Sequence, residues 1–201
     1  VRVVAVGGVP AGLALVDMKG VWRGLVGPFT VEAVSTTAYS VVFTFLPLTS
    51  GRGAPGWLAP ASLLAVQLAA AVSRWVIGAA VDRYGGGRVL RPAVLVAAAG
   101  VAAGAVPDRP ALVLAGMTLF GLGFGVIQNA SLALVLDRAR GPGMGVGSVV
   151  WNLAFDVGTG AGATAGGLVL AAGGDAAVFL SASALLVASL LATREPGGCG
   201  R

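Results

Sequence analysis

Histidine is absent from this chain, and cysteine occurs once, at Cys199. A single cysteine closes no disulfide within the chain. Without histidine there is no histidine metal site, histidine base or histidine proton relay, which leaves carboxylates to carry any proton through the protein. Charge is scarce as well. Only 10% of residues are Asp, Glu, Lys or Arg, against about 25% in ordinary soluble domains.

What fills the space is apolar. Hydrophobic residues make up 57% of the sequence and the mean hydropathy is +0.92. Most of it lies in apolar stretches of roughly 17 to 28 residues, long enough at ~1.5 Å per residue to cross ~30 Å of hydrocarbon. Inside lipid every backbone amide must be satisfied internally, so the choice is a helix bundle or a closed barrel. These stretches are continuous rather than alternating, which excludes the barrel. The chain reads as an all-α membrane protein.

Six spans are expected, at about 25–48, 58–81, 89–106, 111–136, 145–172 and 176–192. Residues 1–23 read as a cytosolic linker or the tail of an upstream helix, and 194–201 as a cytosolic tail. Arg2 followed by apolar residues has the outline of a secretion signal, but Gly7, Gly8 and Pro10 suit a linker better. An even number of spans puts both ends on one side. If that side is the cytosol, ten of the 13 basic residues are inside, and only Arg52 and Arg109 are outside, with Arg74 inside a span. That is a strong positive-inside bias, and it explains the net charge of +5 without nucleic acid, for which there is no basic stripe.

The most charged turn lies between the second and third spans. Gly78-Ala79-Ala80-Val81-Asp82-Arg83-Tyr84-Gly85, with Arg88 following, resembles the G-x-L-a-D-R-x-G-R-K signature of the major facilitator superfamily. The fifth span carries Gly158-x-x-x-Gly162-Ala163-x-x-Gly166-Gly167, similar to the G-x-x-x-G-P-x-x-G-G signature of proton-coupled drug exporters. Gly86 and Gly87 stand where the first pattern has basic residues, and Ala163 where the second has proline. The segments GLGFGVIQNASLAL and VVWNLAFDVGTGAG resemble the C-terminal half of actinobacterial-type exporters in the superfamily. The resemblance implies a six-helix half of a twelve-helix transporter. A second half would then be the partner, either an N-terminal six-helix unit or another copy. It also implies a gating role for Gly78, Asp82, Arg83, Gly85 and Arg88; the alternative is that the charged residues among them are solvated turn residues. For Gly158, Gly162, Gly166 and Gly167 the first reading is helix packing, because small residues let helices approach closely in lipid.

Polar residues inside the spans are the candidate pathway. Counted from the cytosolic span ends, Glu32, Arg74, Asn129 and Asn152 lie roughly 10 Å deep and Asp156 roughly 16 Å deep, near the midplane. Asn152 and Asp156 are four apart and share a face. A lone charge there costs at least ~2.5–3.5 kcal/mol, so these groups should meet each other or a watery cavity. Glu32 with Arg74 suits either a structural ion pair or the pathway, and Gln128 and Asn129 suit interhelical hydrogen bonds or substrate. Asp156 is the expected proton carrier, with Gly158, Gly160 and Gly162 leaving room beside it. The expected function is secondary active transport of a small molecule across the cell membrane, proton-coupled and outward. The alternative is a half-size scaffold without transport of its own. An enzyme is not expected, since no nucleophile–base pair accompanies a serine or Cys199, and neither cofactor nor metal is implied.

Overall fold

The protein, seen in a computed structural model, is described over residues 18–50, 54–139 and 144–193. Among these residues there is no strand, and nearly all are helical. Four helices come first: α1 (Met18–Ser50), α2 (Leu58–Tyr84), α3 (Gly86–Ala102) and α4 (Pro110–Arg138). A fifth segment, Met144–Ser189, is continuous except at Gly174, whose φ of 75° and ψ of −172° break the helix. We refer to 144–173 as α5 and 175–189 as α6. Gly145–Ala192 is 48 residues long, roughly 70 Å if straight, or more than twice the hydrocarbon thickness. Glycine alone accepts that backbone without strain. One residue therefore separates two spans.

Helix α1 starts at Met18, and the stretch of it apolar enough to cross a membrane starts at Gly24, next to the expected span start at about 25. Lys19 and Arg23 interrupt the hydropathy but not the helix. Residues 1–17 and 194–201 lie outside the described set.

The contacts fix the direction of every helix. On α5, Gly158 meets Ala33 and Thr36 of α1, Gly162 meets Thr37 and Ser40, and Gly166 meets Phe45. The two helices therefore run parallel. Side-chain hydrogen bonds join them too, from Thr37 Oγ1 to the Gly158 carbonyl at 3.1 Å. Gly121 and Gly125 of α4 press on Val66, Ala69, Ala70 and Ser73 of α2 in the same parallel sense, while Gly123 presses on Ala93 and Ala97 of α3 in the opposite one. Helix α6 returns along the bundle, donating from Ser183 Oγ to the Ala98 carbonyl at 2.8 Å and ending with the Ala192 carbonyl beside Gly27. Arg138 at the end of α4 donates to the Gly24 carbonyl near the start of α1.

Two ends follow from this path. The start of α1 and the end of α6 share one of them with the turn between α2 and α3 and the end of α4. Arg83, Arg88, Arg91 and Arg138 all lie there, and Arg109 lies at the other. The core runs through the middle on large side chains, with Phe120, Phe124, Phe179, Met117, Ile127 and Leu186 fully buried. Truncating one such side chain to alanine costs ~2–5 kcal/mol in a packed core.

Candidate functional site: a line of polar groups on four helices

Charged and amide side chains are not spread evenly over the spans. Away from the helix ends, among the described residues, they are Glu32 on α1, Gln67 and Arg74 on α2, Gln128 and Asn129 on α4, and Asn152 and Asp156 on α5. Beyond its first two turns, which carry Arg88 and Arg91, α3 has none, and α6 has only Asp175 at its start. Four helices carry the polar chemistry and two carry packing.

Glu32 is the most buried of these groups, with 0% of its surface exposed. Its Oε1 accepts from Gln128 Nε2 at 2.5 Å and its Oε2 from Ser131 Oγ at 2.6 Å. Gln128 and Ser131 are three apart on α4, so they present donors from one face. Ser131 Oγ in turn accepts the Trp151 indole N–H from α5 at 3.1 Å. A buried carboxylate without partners is costly, whereas hydrogen bonds to a charged group contribute about 1.5–3 kcal/mol each. The network thereby ties three helices to one acid.

Sequence spacing suggested an ion pair between Glu32 and Arg74. The acid is bonded to α4 instead, because α1 lies against α4 and touches α2 little. Arg74 is exposed on α2. Tyr39, two turns further along α1 from Glu32, stacks on Phe43 (centroids 4.3 Å apart) and on Phe124 of α4 (4.8 Å), a second contact between α1 and α4. Asn129 donates to the backbone carbonyl of Arg74 at 2.8 Å, bracing α4 on α2. Gln128 and Asn129 thus both make interhelical hydrogen bonds. Ser131, Trp151 and Tyr39 were not singled out from the sequence. The i, i+3 spacing of Gln128 and Ser131 was a usable signal, but nothing local marks Trp151.

Helix α5 divides its faces sharply. Gly158, Gly162 and Gly166 all turn onto α1, so the space beside them is occupied rather than left open next to Asp156. A Cβ at Gly167 would meet nothing within 4 Å, so this position makes no close helix contact here. On a 3.6-residue repeat Gly167 falls on the face of Asp156 rather than that of Gly162. Asn152 and Asp156 are exposed on that outer face with Gly160. Asn152 Nδ2 donates to the Ser148 carbonyl of its own helix at 2.8 Å, not to the neighbouring carboxylate.

In the turn between α2 and α3, Gly85 has φ 80° and ψ 142°, and its N–H closes α2 on the Val81 carbonyl at 2.9 Å. A side chain at this φ is strained, which explains the glycine at this place in the motif. The Arg83 guanidinium lies over the Tyr84 ring, 5.5 Å from its centroid. Arg88 is exposed, and its N–H bonds the Gly85 carbonyl at 3.3 Å. Gly78 has open space around it. The Asp82 side chain lies outside the described set.

One family model matches the chain: that of the Major Facilitator Superfamily, over residues 6–163. No curated protein matches it.

Proposed function

The chain belongs to the major facilitator superfamily of membrane transporters, and from that premise we propose that it is the C-terminal six-helix half of an actinobacterial-type exporter that exchanges a small molecule for protons across the cell membrane. The observation that carries this reading is the confinement of intramembrane charge and amide groups to α1, α2, α4 and α5. Asp156, Asn152 and Arg74 are exposed on this half although they sit within apolar spans. Facing lipid, each charge would cost at least ~2.5–3.5 kcal/mol, so this side belongs against water and a second half. An N-terminal six-helix unit or another copy of the chain supplies the other wall. Glu32, Gln128 and Asn129 hold the inner surface in place, and Asp156 and Arg74 line the path of substrate and protons. Asp82, Arg83, Gly85 and Arg88 gate its cytosolic end.

The assembled transporter in inverted membrane vesicles tests this. Addition of a transported compound should release an imposed proton gradient, and collapse of that gradient by an uncoupler should stop accumulation of the compound. Accumulation that continues unchanged after collapse would remove proton coupling.

Orientation is tested separately. The proposal places both termini and the Arg83–Arg91 turn in the cytosol. In a chain with Cys199 replaced by serine, Arg109→Cys should react with a membrane-impermeant thiol reagent added outside intact cells, and Tyr84→Cys should not. Both positions are exposed at opposite ends of the bundle. Labelling of Tyr84→Cys from outside would reverse the orientation.

A further inference from the structure

We propose that the groove between α2, α3 and α4 binds one anionic phospholipid, with an acyl chain along the groove and the phosphate held by the arginines at its mouth. The groove encloses about 470 Å³ and presents an apolar wall, formed by Val72 and Val76 of α2, Val89, Pro92 and Val96 of α3, and Val126 of α4. It opens to the outside of the bundle, since Val76 is 72% exposed. In a membrane the occupant of such a surface is a hydrocarbon chain.

Charge says which lipid. On α2, Val72, Val76 and Arg83 fall along one stripe, by i+4 and i+7 spacing. Val72 lies roughly 16 Å from Arg83 along the helix, about half the ~30 Å hydrocarbon core. The groove is thus one leaflet deep. Arg83 and Arg88 are exposed at its mouth. By sequence the segment 82–91 carries three arginines and one acid, Asp82. Guanidinium forks match phosphate oxygens and bind them in pairs. Tyr84 beside Arg83 suits the interface between headgroups and chains. Lipid and side chain are equally apolar, so the groove contributes close contact rather than a hydrophobic gain, and the arginines supply selectivity. In the orientation proposed above this is the cytosolic leaflet, where anionic lipids concentrate. Binding itself does not depend on transport.

Native mass spectrometry of the full chain in detergent tests this, with equimolar phosphatidylglycerol and phosphatidylcholine of the same chain length. One phosphatidylglycerol should be retained in preference to phosphatidylcholine. Arg83→Gln and Arg88→Gln should each lower that preference about fivefold, the effect of one basic residue near an anionic surface. Val76→Trp should fill the groove from an exposed position and abolish retention, while Arg109→Gln, at the other end, should change nothing. Equal retention of both lipids would reduce the site to ordinary boundary lipid and overturn the proposal. So would full retention by Val76→Trp, or displacement of the lipid by soluble glycerol 3-phosphate at a similar concentration, because either result would leave the groove without a role.

Discussion

Glu32→Ala should destabilise the bundle by about 2–5 kcal/mol, and Glu32→Gln by much less. Alanine leaves the Gln128 amide and the Ser131 hydroxyl buried and without their acceptor, at about 1–3 kcal/mol for each unsatisfied donor. It also opens a cavity among α1, α4 and α5, because Glu32 is fully buried. Glutamine fills the same volume and keeps an acceptor oxygen. The Ser131 hydroxyl can rotate and the Gln128 amide can turn, so two amides and a hydroxyl pair without a charge. Thermal unfolding in detergent reads the difference. For a chain of this size a loss of 1 kcal/mol lowers Tm by about 2–4 °C, so Glu32→Ala should unfold roughly 4–20 °C below the parent. Glu32→Ala and Ser131→Ala in a double-mutant cycle should couple by about 0.5–3 kcal/mol. Additive effects, or equal stability of the alanine and glutamine variants, would show that the acid does not hold these helices together.

The helices themselves were largely legible in the sequence. Apolar run length decides a span in lipid, and the expected fourth span, 111–136, lies within the observed Pro110–Arg138. Helix α1 begins at Met18, ahead of the expected span start at about 25, because hydropathy marks the edge of the hydrocarbon, whereas a helix continues past it. The break between the last two spans was expected at 173–175, and the helix breaks there, at Gly174. Partnership inside the bundle was harder to read. Spacing puts Asn152 beside Asp156 and both on one face, and it puts Gln128 beside Ser131. It does not say that α1 lies against α4 rather than α2, and that choice decides what Glu32 bonds to. Nor did the glycine repeat distinguish Gly166, which meets Phe45, from Gly167, which faces outward. The repeat identifies a helix rich in small residues, and only the helix axis assigns each one to a face.

Asp156→Asn should abolish transport driven by a pH gradient while leaving folding, membrane insertion and substrate binding intact. Asp156 is exposed on the outer face of α5, one turn from Asn152 and next to the open space at Gly160. Its opposite face is committed to α1 through Gly158 and Gly162. The acid is therefore carried on a helix held firmly from behind, facing the side on which the proposal puts a second half. Asparagine keeps the shape and most of the hydrogen bonding of aspartate, but it neither takes up nor releases a proton. An exposed substitution of this kind changes stability by no more than about 0.5 kcal/mol, so any loss of function is not a loss of fold. The competing role is a fixed anchor, in which the ionised carboxylate pairs with a basic group of the partner half. The two roles part in the assembled transporter. A coupling acid predicts that Asp156→Asn still equilibrates substrate down its own gradient and fails only when the proton gradient must do work. An anchor predicts that the halves separate or that both modes of transport fall together. Undiminished gradient-driven transport by Asp156→Asn would end the coupling role of this residue and leave Glu32 as the remaining acid deep in the described spans.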